Sequence, residues 1–130
     1  MTDRELINAA FAASENAWAP YSGFKVGAAL LCSDGTVYTG CNVENSSFGA
    51  TICAERVAFC KAVSDGRRNG FVALAVAADS DTYCMPCGMC RQFMSEFTTD
   101  IEILSARGDG RYTSYRLSAL LPHPFEALNS

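Results

Sequence analysis

Phe71-Val72-Ala73-Leu74-Ala75-Val76-Ala77-Ala78 is an unbroken apolar run bounded by Gly70 and Asp79. A strand with one wet face alternates apolar and polar residues. A short run without alternation suits a central strand covered on both faces, so this segment predicts a sheet with helices above and below it.

The flanking sequence supplies those layers. Upstream, Ala54, Val57, Ala58, Lys61 and Ala62 recur at helical spacing over 52–64, and Asp65 and Gly66 close the segment. Cys53 falls in the first turn of that expected helix. Further back, Val26–Cys32 and 36–42 are apolar, β-branched stretches around Ser33-Asp34-Gly35, whose Asp-Gly pair suits a tight hairpin turn. The chain opens on a capping box, Thr2 with Glu5, followed by Leu6, Ile7, Ala10, Phe11, Ala13, Ala17 and Trp18 up to Pro20, which predicts a helix over 3–18. Downstream, a helix is expected over 88–98, with short strands near 101–106 and 111–116 around Gly108-Asp109-Gly110. The order α-β-β-α-β-α-β-β predicts an α/β fold, a three-layer α/β/α sandwich on about five strands. At 130 residues it is expected to form one domain, 1–130, without repeat or linker.

Composition narrows the function. The chain is 49% hydrophobic and 18% charged, too apolar for disorder and too interrupted for a membrane span. Fourteen acidic residues against ten basic ones give a net charge of -4, which provides no field for collecting nucleic acid and favours a small, roughly neutral substrate. The opening Met1-Thr2-Asp3-Arg4-Glu5 lacks the charged stretch and apolar run of a secretory signal, so a cytoplasmic location is expected. Seven cysteines, an odd number, in a reducing compartment suggest metal ligands and core residues rather than a disulfide framework.

Two local patterns carry chemistry: Cys53-Ala54-Glu55 and Pro86-Cys87-Gly88-Met89-Cys90. Each places thiols at the start of an expected helix, where unpaired N–H groups and the positive dipole end favour the thiolate that binds metal. A Cys-x-x-Cys pair and one cysteine from a second helix make three ligands, and three protein ligands leave a fourth zinc position for water, the mark of a catalytic site. Zinc lowers the pKa of such a water to about 7. Glu55, two residues after Cys53, is placed to shuttle protons rather than to bind the metal. Three thiolates around a dication leave one excess negative charge. Arg56, adjacent to Glu55, is expected to offset it by donating hydrogen bonds to the thiolates.

The wider pattern resembles the small, homotetrameric cytidine deaminases with a three-cysteine zinc site, over nearly the whole chain. Pro20-Tyr21-Ser22-Gly23-Phe24-Lys25-Val26-Gly27-Ala28-Ala29-Leu30 and Gly40-Cys41-Asn42-Val43-Glu44-Asn45 are similar to the first two signatures of that family. Thr51-Ile52-Cys53-Ala54-Glu55-Arg56 and Pro86-Cys87-Gly88-Met89-Cys90-Arg91-Gln92 are similar to the next two. The resemblance implies a mixed central sheet, a zinc cofactor, and hydrolytic deamination of cytidine and deoxycytidine to the uracil nucleosides and ammonia. It also implies that Asn42 and Glu44 hold the ribose hydroxyls, that Phe24 packs against the nucleoside, and that the Ala54 N–H fixes the pyrimidine. Phe125 matches a C-terminal aromatic that reaches a neighbouring subunit, which implies active sites shared within a homotetramer. Three residues depart from the pattern: Met85 replaces a small polar residue, Phe48 replaces a tyrosine, and Cys84 is an extra thiol.

Other readings stay open at this point. A modified or antibiotic cytosine nucleoside would suit the same residues. A closed zinc site of Cys53, Cys84, Cys87 and Cys90 would make a non-catalytic binding module, although it leaves Glu55 without a role. A ferredoxin run fails, because Met94 stands where a fourth cysteine is needed. A thioredoxin-like pair leaves Cys53 unexplained. Cys32, Cys41 and Cys60 are expected as small buried hydrophobes, Trp18 as helix packing, Arg67-Arg68 as a solvated turn, and His123 as an exposed tail residue.

Overall fold

The structure, a computed structural model, describes residues 1–98 and 100–126. Helix α1 spans Asp3–Ser14, strands β1 and β2 span Val26–Cys32 and Val37–Cys41, and helix α2 spans Ala54–Ser64. Strand β3 is Phe71–Ala78, α3 is Gly88–Ser95, β4 is Glu102–Ala106, β5 is Tyr112–Arg116 and α4 is Leu117–Leu120. A 3-10 turn at Phe48–Ala50 and α4 add to the expected order. The strands form one sheet in the order β2-β1-β3-β4-β5, parallel only between β3 and β4. The expected α/β sandwich with a five-stranded mixed sheet is what the chain adopts.

The Phe71 run is the middle strand, and its two faces meet different helices. Ala73, Ala75 and Ala77 join Ala29, Leu104 and Ala106 beneath Leu6, Ile7 and Ala10 of α1. Leu74, Val76 and Ala78 join Leu30 and Ile103 beneath Ala54, Ala58, Phe59 and Ala62 of α2 and Met94 of α3. Small residues bring the helices close. A Cβ on Gly27 would fall 2.6 Å from the Ser14 nitrogen of α1, and one on Gly40 would fall 2.6 Å from the Ala58 nitrogen of α2. Isolated glycines inside strands signal such approaches, and here each one seats a helix.

The capping box forms as expected. The Thr2 hydroxyl accepts from the Glu5 N–H at 3.1 Å, and the Glu5 carboxylate accepts from the Thr2 N–H at 3.0 Å. Helix α1 nevertheless ends at Ser14, short of 18. Trp18 is not helix packing: its backbone pairs with 42–44, through the Trp18 N–H to Asn42 O at 3.0 Å and the Glu44 N–H to Trp18 O at 2.8 Å, and its side chain is 60% exposed. Helix α3 likewise stops at Ser95 rather than 98.

The strand directions decide where a site can form. Val26 opposes Ala78 and Gly27 opposes Cys41, so the start of β1, the end of β2 and the end of β3 lie at one end of the sheet. The chain leaving β3 at that end leads into α3, and the chain leaving β2 leads into α2. Carboxyl ends of parallel strands and the helix starts beyond them are the usual place for ligands in such sheets.

Candidate active site

Cys53 is the N-cap of α2 and Cys87 the N-cap of α3, both with extended backbone. Cys53 therefore sits just before the helix rather than in its first turn. The loop that delivers it is held by a two-way bridge, Val43 N–H to Ile52 O at 2.9 Å and Ile52 N–H to Val43 O at 3.0 Å. Across the gap, Cys90 lies in the first turn of α3, fully buried. The sulfur atoms of Cys53, Cys87 and Cys90 all lie within 4.8 Å of one another, with Cys53 to Cys87 at 3.9 Å and Cys87 to Cys90 at 3.4 Å. Cys84 is not in this group, so the closed four-cysteine site does not form.

The thiols are electrostatically unequal. Cys53 is drawn down to about 5, first by the hydrogen bond from the Cys90 thiol and then, against the cost of burial, by Arg56 and Cys87. The same hydrogen bond, burial and the Glu55 charge push Cys90 up. Three thiols this close cannot all shed protons against one another's charge. A dication among them removes the conflict, and a soft, all-sulfur donor set suits zinc. Arg56 already faces that charge: its Nη2 donates to Cys53 Sγ at 3.7 Å and to Thr51 O at 3.2 Å. Its Nε is buried without a partner.

Glu55 is 4% exposed, in the first turn of α2. Burial raises its carboxyl to about 7, with the Cys53 charge adding to the rise. A carboxyl of that kind changes protonation near neutral pH, which is what a group that both takes and gives protons needs.

These groups open onto a cavity of about 220 Å³ lined by Phe24, Val26, Asn42, Thr51, Cys53, Ala54, Glu55, Cys84, Met85 and Cys87. Phe24, Asn42 and Ala54 thus line the same hollow as Cys53, Cys87 and Glu55. The Asn42 amide braces its wall, accepting from the Val26 N–H at 2.9 Å and donating to Phe24 O at 2.8 Å. Glu44 lies next door, in a hollow of about 380 Å³ with Tyr21, Ser22, Asn45, Phe48 and Thr51; Thr51 lines both spaces. Its carboxylate accepts from the Tyr21 and Ser22 N–H groups at 3.0 and 3.1 Å and from the Ser22 hydroxyl. The Ser22 hydroxyl above all keeps it below the ordinary carboxylate range. Phe125 does not line either hollow. Its ring is 76% exposed, on a backbone held by the Gln92 amide in both directions.

Several residues line the cavity that the sequence did not place there, among them Cys84 and Met85, which it marked only as departures from the family pattern. Cys84, buried and pushed up to about 12 by its burial, and Met85 form one wall beside Glu55. Val26 and Thr51 form others. Their places follow from tertiary contacts and carry no local signal in the sequence. Cys32 is buried as expected, whereas Cys60 is exposed on α2. Arg67 is not simply solvated: it ties Asp34 at 2.6 Å, Thr36 at 2.9 Å and Tyr38 at 3.0 Å. Among the described residues no helix is long and apolar enough to cross a membrane.

Comparison with known proteins agrees with this chemistry. Residues 1–104 match the family model described as the cytidine and deoxycytidylate deaminase zinc-binding region. The chain is 48% identical over 128 residues to the cytidine deaminase of Sporosarcina psychrophila, covering 96% of this chain and 92% of that protein. It is 48% identical over 127 residues to the cytidine deaminase of Halalkalibacterium halodurans, covering 96% of each. The crystal structure of cytidine deaminase from Burkholderia pseudomallei superposes with a TM-score of 0.93 at 46% identity, covering 96% of this chain and 100% of that one. With Cys53, Cys87 and Cys90 converging as a zinc-binding cluster on two helix starts, the chain belongs to the cytidine and deoxycytidylate deaminase family.

Proposed function

We propose that this protein catalyses the hydrolytic deamination of cytidine and deoxycytidine, releasing ammonia and the uracil nucleoside. Cytidine deaminase is the activity that the near full-length relatives name. The observation that carries the reading is a buried carboxyl, Glu55, beside three convergent thiols, of which Cys53 and Cys87 line the same cavity of about 220 Å³.

Zinc held by Cys53, Cys87 and Cys90 supplies the Lewis acidity that makes water nucleophilic at neutral pH. As the water oxygen bonds to the ring carbon, Glu55 takes its first proton and passes it to the pyrimidine ring nitrogen; it then takes the second proton from that added oxygen and passes it to the amino group, which leaves as ammonia when the C–N bond breaks. Burial suits it to both directions of transfer, because it raises the carboxyl to about 7. The Ala54 N–H at the start of α2 orients the pyrimidine, and the Phe24 ring packs on it. Glu44, kept ionised by its Ser22 and Tyr21 bonds, and Asn42 address the sugar hydroxyls. Arg56 offsets the excess thiolate charge through Cys53.

The exposed rings of Phe48 and Phe125, 81% and 76% accessible, together with Met89 at 67%, support assembly into a homotetramer with shared sites. The seven free thiols suit a reducing cytoplasm. Assaying cytidine, deoxycytidine and free cytosine side by side tests the substrate class. Turnover of the nucleosides well above that of cytosine is expected; cytosine as the best substrate overturns the sugar roles of Asn42 and Glu44.

A further inference from the structure

The three zinc ligands are not equally anchored. Cys90 is buried within α3, and Cys53 follows the Val43–Ile52 bridge. Cys87 is exposed, and so are its neighbours Met85, Gly88 and Met89, so packing around the sulfur does little to place it. As the N-cap it accepts from the Cys90 N–H at 3.4 Å, and its other anchor is the residue before it. The Pro86 ring is fully buried, and the Pro86 carbonyl accepts from Arg91 Nε at 2.8 Å. Together they orient the peptide that leads into Cys87.

The same guanidinium reaches elsewhere. Arg91 Nη1 donates to Leu120 O at 2.9 Å, one of the carbonyls left open at the end of α4. One residue on, Gln92 donates to Phe125 O at 3.0 Å and accepts from the Phe125 N–H at 2.9 Å. Two consecutive side chains of α3 thus tie residues 120–125 to the helix whose N-cap and first turn carry the metal ligands Cys87 and Cys90.

We propose that Arg91 is a positioning residue for the zinc ligand Cys87, and that Arg91 and Gln92 act as one latch coupling metal retention to docking of the C-terminal segment. The inference rests on the three-cysteine zinc site. Coupling of this kind is reciprocal: what loosens the segment speeds zinc loss, and what removes zinc loosens the segment. Lysine at 91 carries a single nitrogen and cannot donate to both carbonyls in the fork geometry of a guanidinium.

The test uses zinc-loaded protein mixed with excess chromophoric chelator. Arg91→Ala is expected to release zinc about ten-fold faster, Arg91→Lys by an intermediate factor, and Gln92→Ala, which touches no metal ligand, a few-fold faster. In the wild-type protein, removing zinc is expected to speed hydrogen exchange at the Phe125 amide. Unchanged zinc release in Gln92→Ala together with zinc-independent exchange at Phe125 overturns the latch, even if melting temperatures fall. Those two measurements decide the matter if Arg91→Ala does not fold. A wild-type protein that binds no zinc instead overturns the metal site on which the inference stands.

Discussion

Gly40→Ala is the substitution that most sharply joins fold to catalysis. Gly40 is buried in β2, and a Cβ there meets the Ala54 carbonyl, the Ala58 nitrogen at 2.6 Å and Val57 Cβ at 3.0 Å. All three belong to α2. Backbone cannot swing aside as a side-chain end can, and the 2.6 Å approach is about 0.8 Å inside the 3.4 Å where ordinary contact begins, so the helix itself must move. Overpacking of this kind costs about 1–3 kcal/mol of stability. The larger effect is on chemistry, because the first turn of α2 carries Glu55 and follows directly on Cys53. Displacement of a reacting group by about 1 Å lowers rate on the order of 10²-fold. Gly27→Ala is the control: it crowds α1 on the opposite face, with the Ser14 nitrogen at 2.6 Å, and does not touch α2. Urea unfolding at fixed protein concentration and kcat on cytidine measure the two effects. Both variants are expected to lose stability, and Gly40→Ala alone to lose kcat on the order of 10²-fold. Equal kcat losses in the two variants, or full kcat in Gly40→Ala, would refute the claim that β2 sets the position of the catalytic turn.

Three further outcomes are expected. Glu55→Gln is expected to keep zinc but lose at least about 10³-fold in kcat, because the proposed mechanism assigns every proton transfer to this one carboxyl; metal analysis beside a turnover assay checks it, and a kcat above a tenth of wild type contradicts it. Arg56→Ala weakens zinc binding by about ten-fold in a chelator competition, because Cys53 loses its cationic donor. The Arg67 hydrogen bond holds Asp34 down to about 2, below its ordinary 3.8, so its contribution is complete above pH 3.8 and disappears as pH falls towards 2. Asp34→Asn should accordingly lose less melting temperature between pH 5 and pH 2.5 than wild type does.

Much of this molecule is legible locally. The Thr2 and Glu5 box, the Asp34-Gly35 turn and the apolar Phe71 run each contain their own cause within a few residues. The same holds for Cys53, Glu55, Cys87 and Cys90, whose spacing places them at helix starts without knowledge of the rest. What escaped detection depends on partners distant in sequence. Residues 15–18 continue a helical pattern, yet the backbone of Trp18 finds better partners at Asn42 and Glu44. Arg67 and Arg68 read as a polar turn, but Arg67 meets Asp34, Thr36 and Tyr38 from the hairpin. Cys60 reads as one more core thiol; its position on the outer side of α2 leaves it exposed. The places of Cys84 and Met85 in the cavity wall come from the loop between β3 and α3, which ties back through the Cys84 N–H to Ala106 O at 3.1 Å.

The central claim is that one zinc, held by Cys53, Cys87 and Cys90, turns this fold into a nucleoside deaminase. Titrating zinc into metal-free protein while following conversion of cytidine to uridine tests it most directly. The rate should rise linearly and break at one zinc per chain. Zinc bound at one per chain with no uridine formed, or uridine formed at the same rate before any zinc is added, would contradict it.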